Sequence, residues 1–305
     1  FFSSCEDKFI QKDRFNRDIG PYKEGVFDTL PEPGKDITIT IDAKLQEYGE
    51  LLMKHKRGGI IAIEPSSGEI LAMVSAPSYN PNLLVGRNRS KNYSKMHYDT
   101  IAKPLYDRSL LAQYPPGSPF KVLNALIGLQ EKVITTQDKC YCRMGYYLGS
   151  RKLLGCHSHF SPLSMNDGIA QSCNAYFANV YRRIIDKYAN PEEGMNVWSN
   201  HIKSFAAIGN RGYFYTPHII KNIEDETIDK NFTTRKYTTI DKENFEPVVQ
   251  GMFDVYNKGT AYSLQVSGIE ICGKTGTAEN FSKIDGVKTQ LTDHSIFVAF
   301  APKDN

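Results

Sequence analysis

No run of about 18 apolar residues occurs in the 305-residue chain, so the text contains no helix able to cross a membrane. An excess of one charge is lacking too. With 37 Lys and Arg against 34 Asp and Glu, the net charge of +3 is too balanced for a protein built to grip a polyanion, and no nucleic-acid partner is expected. Six cysteines are too few for a disulfide scaffold. Internal repeats and low-complexity tracts are absent. The text begins Phe1-Phe2-Ser3-Ser4-Cys5, with neither an initiator methionine nor a signal-peptide pattern, as expected of a piece trimmed from a longer chain. A 40% hydrophobic and 23% charged composition is globular, with chain enough for one large domain or two modest ones.

The element pattern changes along the chain. Residues 1–34 are polar and end in Leu30-Pro31-Glu32-Pro33-Gly34, the punctuation of a linker. Asp36 to Asp42 alternates with three Ile on one side, the pattern of a half-buried strand, and Ala43 to His55 has helical spacing. Gly59 to Ile63 and Ile70 to Val74 flank a Pro/Ser/Gly turn and predict a buried antiparallel hairpin. Helical stretches follow, notably Phe120 to Val133 and Leu163 to Tyr188, and two further apolar runs, Ile269 to Ala278 and His294 to Ala301, come last. Strands, helices, strands is the order of a mixed α+β protein, in which strands from both ends share one antiparallel sheet flanked by helices.

Three short motifs punctuate this order. In Tyr114-Pro115-Pro116-Gly117-Ser118-Pro119-Phe120-Lys121, Pro119 suits a first helical turn. Ser118 then sits at or beside the N-cap, with Lys121 one turn on along the same face. A serine hydroxyl becomes a nucleophile when a base takes its proton, and a lysine amine can serve once burial lowers its pKa. Ser172-Cys173-Asn174 lies between two helical stretches, where a loop or cap must bring Ser172 and Asn174 together. Gly273-Lys274-Thr275-Gly276-Thr277 lies on a late strand; Gly276 there marks close approach by a ligand or another backbone. Taken singly, each motif has an ordinary reading as a cap or a strand end.

S-x-x-K, S-x-N and K-T-G in this order and these contexts are the signature of penicillin-binding proteins and serine β-lactamases, and the sequence strongly resembles that superfamily. Gly58 to Asn82 resembles the opening hairpin of the class B, monofunctional penicillin-binding proteins. Tyr114 to Ser118 is the form their nucleophile motif takes, and the wording is closest to the elongation type, the penicillin-binding protein 2 group. The resemblance implies a serine β-lactamase/DD-transpeptidase-like fold with an all-helical subdomain. It implies a remnant of an N-terminal pedestal and linker over residues 1–34 and a transpeptidase domain over 35–305.

The implied reaction is cross-linking of peptidoglycan stem peptides through a serine acyl-enzyme, in cell-wall elongation and cell shape. Ser118 attacks the D-Ala-D-Ala carbonyl and Lys121 is its base. Ser172 and Lys274 relay a proton, Asn174 holds the substrate amide, and Thr275 and Thr277 meet the terminal carboxylate. The backbone N–H groups of Ser118 and Thr277 form the oxyanion hole, and the peptide lies as an added strand beside Gly276. β-Lactams acylate the same serine. Implied partners are a membrane glycosyltransferase and an elongation-complex scaffold, and the implied location is the periplasmic face of the bacterial inner membrane, through an N-terminal anchor. A β-lactam sensor and a serine β-lactamase are the alternatives. Two departures from relatives stand out. The text runs from Phe205 straight into Ala206 where relatives carry a long segment, so a break is expected there, and it stops before the last strand of the relatives' sheet.

No cofactor is required for this chemistry, but one cluster lies outside it: Cys140-Tyr141-Cys142, Cys156-His157-Ser158-His159, and Cys173 inside S-x-N. Cys and His are the preferred zinc ligands, four to a structural site. A disulfide and inert buried thiols are the other readings. The zinc reading takes Cys142, Cys156, His159 and Cys173, with Cys140 and His157 as substitutes.

Overall fold

The computed structural model describes residues 8–29, 34–204, 208–284 and 287–304. Residues 30–33 of the expected linker, and the break expected near 205–206, lie outside them. Contacts divide the chain into two units, Phe1–Leu110 with Thr216–Thr234, and Leu111–Tyr215 with Arg235–Asn305.

In the first unit, β1 (Ile37–Ile39) leads into α1 (Ala43–Leu52), whose N-cap Asp42 accepts a hydrogen bond from Leu45 N. β2 (Gly58–Ile63) and β3 (Ile70–Ala76) form the expected antiparallel hairpin, but only β3 is buried as expected, since Ile61 and Ile63 of β2 are exposed. β3 buries alternate residues Ile70, Ala72, Val74 and Ala76, the side against which α1 packs. The half-buried strand expected over Asp36–Asp42 comes out differently. β1 pairs with strand Ile220–Ile223, and Ile37 and Ile39 stay exposed because no described layer of this unit covers them. The buried residue is Thr40, whose hydroxyl donates to the Ile70 carbonyl at 2.6 Å.

The second unit holds the large apolar core. α2 (Phe120–Gln130) is followed by the hairpin β4 (Gly145–Leu148) and β5 (Arg151–Gly155), then α3 (Met165–Ala170), α4 (Asn174–Asp186), α5 (Pro191–Ser204) and α6 (Phe245–Asn257). Val122, Ala125 and Leu126 of α2 recur at helical spacing, as do Val248, Val249, Met252 and Val255 of α6. These faces close on Met165 and Ile169 of α3 and on Phe177, Val180 and Ile184 of α4 in one continuous core. Each such side chain contributes roughly 1.5–3 kcal/mol by leaving water. The single tryptophan, Trp198 on α5, donates to Asn124 Oδ1 at 2.9 Å and packs against Phe120 and Tyr181, bracing α2 and α4 together. β6 (Cys272–Ala278) and β7 (His294–Phe300) then pair antiparallel along their whole length, with α6 packed on β6.

Among the described residues, β2–β3 in the first unit and β6–β7 in the second are each antiparallel two-stranded ladders. Mixed helices and antiparallel strands are as the sequence implies.

Candidate active site

The three motifs meet in the second unit for local reasons. Gly117, at φ +57°, turns the chain into Ser118 and Pro119, and Pro119 enters the helical region just ahead of α2, where its missing N–H costs nothing. Ser172 sits in a tight turn between α3 and α4, with its N–H donating to the Ile169 carbonyl at 3.2 Å. Its φ of +52° is a strained value for a serine, and it satisfies the need for a non-helical link that brings Ser172 and Asn174 to one cleft. Lys274 lies on β6 opposite Val298, fully buried.

Ser172 joins the two lysines. Lys121 Nζ donates to the Ser172 carbonyl at 2.6 Å and to Ser172 Oγ at 3.0 Å, and Lys274 Nζ donates to the same Oγ at 3.0 Å and to the Thr275 carbonyl at 2.9 Å. Burial pulls Lys121 down to about 8, against a smaller upward pull from Cys173 and Cys156. Burial, then the neighbouring Lys121 charge, pulls Lys274 to about 7. A neutral Lys121 amine that spends two N–H groups on Ser172 keeps its lone pair free to take a proton. Lys121 is expected within reach of both Ser118 and Ser172; its hydrogen bonds go to Ser172, and none joins it to Ser118 among the described residues. Such a contact commonly tightens only when substrate is bound.

Ser118, Lys121, Ser172, Asn174, Thr275, Gly276 and Thr277 all line one cleft of about 740 Å3. Gly276 has a reason the sequence left open. A Cβ there would come within 2.4 Å of Pro119 Cδ and 3.2 Å of Ser118 N, so the glycine admits the chain's own nucleophile turn. Asn174 Nδ2 donates to the Gly155 carbonyl at 2.6 Å, so β5 already holds the amide that the sequence assigns to substrate.

Thr260, Glu279 and Asp293 also line this cleft and were not singled out from the sequence. Thr260 and Thr275 share a hydrogen bond of 2.8 Å between their hydroxyls. The signal for Thr260 was present in Asn257-Lys258-Gly259-Thr260. A Cβ on Gly259 would lie 2.4 Å from the Ala170 carbonyl, so only a glycine lets the end of α6 press on α3 and deliver the threonine.

The four residues expected as zinc ligands are brought together beside this cleft. One donor atom from each of Cys142, Cys156, His159 and Cys173 lies within 4.8 Å of the other three. The substitutes go elsewhere: Cys140 Sγ accepts from Asn179 Nδ2 at 3.6 Å, and His157 lines the catalytic cleft. Cys156 and Cys173 are both free thiols, with sulfurs 3.9 Å apart, nearly twice a disulfide bond. Two N–H groups in the first turn of α4 point at these sulfurs, Ala175 N to Cys156 and Tyr176 N to Cys173, each at 3.3 Å. His159 Nδ1 lies 2.8 Å from the Phe160 carbonyl, while its Nε2 is buried without a hydrogen-bond partner. Burial pushes the Cys173 thiol up, so a cation bound there must displace a held proton.

A serine at a helix start, sharing one cleft with a second serine whose hydroxyl joins two buried lysines, is the arrangement of a serine acyl-transfer site. The penicillin-binding protein transpeptidase domain model matches residues 58–192 and 199–305, and the chain belongs to that family. Peptidoglycan D,D-transpeptidase MrdA of Acinetobacter baumannii is 28% identical over 341 residues, covering 90% of this chain and 50% of that protein. MrdA of Haemophilus influenzae is also 28% identical, covering 89% and 52%. The chain thus spans about half the length of the curated relatives it matches. Among solved structures, Pseudomonas aeruginosa PBP2 in complex with WCK 5153 is 27% identical with a TM-score of 0.72, covering 90% of this chain and 70% of that one. The D,D-transpeptidase domain from Eggerthella lenta, 18% identical at a TM-score of 0.72, shares the fold.

Proposed function

We propose that the chain carries the catalytic part of a peptidoglycan D,D-transpeptidase acting in cell-wall elongation, the activity named for its MrdA relatives. The observation that carries this reading is the hydrogen-bonded series Lys121, Ser172, Lys274, whose first two members line the cleft that holds Ser118. Lys121 takes the Ser118 proton as Oγ attacks the penultimate D-Ala carbonyl. Ser172, with Lys274 behind it, passes a proton to the departing D-alanine amine. The terminal carboxylate meets Thr275 and Thr277, and the N–H groups of Ser118 and Thr277 receive the developing oxyanion, an interaction of about 3–4 kcal/mol in comparable sites. β-Lactams enter as mimics of D-Ala-D-Ala. Supporting this over a hydrolase, no carboxylate takes part in the described hydrogen bonds of Lys121, Ser172 and Lys274.

The same reading brings in an anchor to the periplasmic face of the inner membrane, a membrane glycosyltransferase and an elongation scaffold as the whole protein's partners. Among the described residues no helix is long and apolar enough to cross a membrane. Zinc is proposed separately, from the Cys and His side chains themselves. Three sulfurs and a buried imidazole nitrogen with no partner suit a tetrahedral structural site held by Cys142, Cys156, His159 and Cys173. Bound there, the metal would tie the segment after α2 to the Ser172–Asn174 turn and supply no step of the reaction.

Covalent labelling with fluorescent penicillin tests the central claim. The parent protein should label and hold the label, and Ser118→Ala should not label, with its melting temperature close to the parent's. Labelling that survives in Ser118→Ala would remove the assignment.

A further inference from the structure

In the first unit, the edge of β3 that faces away from β2 is closed at Leu71 and Met73 by the chain's own groups. Asp42 N donates to the Leu71 carbonyl at 2.9 Å. The side-chain amide of Gln46 stands in for a neighbouring strand at Met73, accepting from its N–H at 2.8 Å and donating to its carbonyl at 3.0 Å. Backbone groups two residues further along a strand point the same way. The ladder with β2 runs without a bulge from Met73 to Ser75, so the Ser75 N–H and C=O also turn away from β2. Neither takes part in a hydrogen bond among the described residues. α1 has ended by this point, and a groove of about 680 Å3 opens between its last turn, the link over 53–57, and residues 74–78. Pro77, which has no N–H, ends the edge.

The groove has a cationic rim and an apolar floor. Lys54, His55, Lys56 and Arg57 are consecutive and exposed, and Glu50 is the only acid among the described residues that line it. Lys56 spends an N–H on the Leu52 carbonyl, whereas Lys54, His55 and Arg57 have no hydrogen bond or ion pair among the described residues. Behind the wall at Ala102, the buried Arg108 guanidinium donates to the carbonyls of Ala102, Lys103 and Tyr106 and meets no carboxylate among those residues. Its charge adds to the positive field of the rim. Leu51 and Ile101, 65% and 82% exposed, leave hydrocarbon facing water between these charges.

We propose that an extended, acidic segment of a partner protein docks in this groove, pairing its backbone with Ser75. A peptide unit offers both the acceptor and the donor that the Ser75 N–H and C=O require, which an inorganic anion or an acyl chain does not. Carboxylates on the segment meet Lys54 and Arg57, and an apolar side chain between them covers Leu51 and Ile101. The open edge is one residue long, so the charges and the floor supply most of the affinity. The backbone pair fixes the direction and register of the segment, as in other strand additions.

Fluorescence anisotropy on the full chain tests this with a fluorescein-labelled heptapeptide, Glu-Glu-Val-Leu-Val-Glu-Glu. The parent should bind it with a dissociation constant below about 1 mM. A copy with lysine for glutamate should bind at least about tenfold more weakly, because like charges then face each other. A copy N-methylated at its three central residues should lose about tenfold, the scale of a lost pair of hydrogen bonds. The double variant Lys54→Glu, Arg57→Glu should also lose about tenfold, and its labelling by fluorescent penicillin at the parent's rate reports an intact fold. No saturation by about 1 mM would overturn the proposal and leave the cations as guards of an open edge. Equal affinity for the N-methylated copy would overturn the backbone pairing. Binding of phosphatidylserine–phosphatidylcholine vesicles without the peptide would overturn it in favour of a lipid surface. A parent dimer in sedimentation that the double variant abolishes would overturn it in favour of a second copy of this chain.

Discussion

Lys121 and Lys274 donate to one hydroxyl, that of Ser172, and two ammonium groups buried that close cannot both keep their charge cheaply. They therefore titrate as a pair, with apparent values near 7 and 8 that belong to both. The base form is the one that accepts the Ser118 proton, so the second-order rate of penicillin acylation should rise with pH and level off above about 8. Lys121→Ala should lower that rate by about 10²–10⁴-fold across the range, and stopped-flow acylation from pH 6 to 9.5 measures both effects. A rate that is flat with pH in the parent would contradict the role given to Lys121. The same lowered values have a consequence for stability, with the opposite partner in mind. Between about 7 and the ordinary lysine value of 10.5, the unfolded chain binds more protons than the folded one, so stability rises with pH through that window. Lys274→Met should flatten that rise in urea denaturation, and an undiminished slope in the variant would exclude Lys274 as its source.

At the scale of elements, the site depends on how closely the nucleophile turn lies on β6. Gly276 opposes Ile296 on β7 on one side and admits Pro119 and Ser118 on the other. Adding one methyl group there, in Gly276→Ala, should push the Ser118–Pro119 turn outward. Displacements near 1 Å typically cost about 10²-fold in rate, so the acylation rate should fall far more than the melting temperature does. Equal acylation by parent and variant would mean that the turn has slack that these distances deny. α4 carries a comparable constraint at its start, where Cys173 caps the helix with its sulfur and Asn174 is held by β5. The helices themselves were legible. The expected helical stretches over Phe120 to Val133 and Leu163 to Tyr188 contain α2, α3 and α4, because apolar residues at 3.6-residue spacing must share a face. The exposure of Ile37 and Ile39 was not legible, since alternation says that two faces differ but not what covers either.

For the whole molecule, the proposed zinc site draws on residues separated by up to 31 positions, Cys142 to Cys173, around the entry to α4. Purified protein should carry about one zinc per chain, the loading of a four-ligand structural site. Prolonged chelation should then lower both the melting temperature and the acylation rate, and zinc, but not magnesium, should restore them. Sub-stoichiometric zinc, together with an unchanged melting temperature and acylation rate in chelator, would remove the metal from this account.

The amino-acid order alone determined which residues could do chemistry and what kind. S-x-x-K, S-x-N and K-T-G carry a candidate nucleophile and candidate bases within short windows, where helix spacing and strand alternation act locally, and the family resemblance adds a proposed carboxylate-binding role for the strand. The four cysteine and histidine residues that lie together could be singled out as well, because only a few residues of the chain offer thiol or imidazole donors. What the tertiary structure decided depends on contacts between distant segments. Those contacts put Ser172 Oγ between two lysines that lie 51 residues before it and 102 after it. They bring Thr260 to Thr275 and set Pro119 against Gly276. The physical reason is common to all of these: local periodicity sets the face a side chain occupies, whereas its partner, its burial and therefore its pKa are set by whatever the rest of the chain packs against that face.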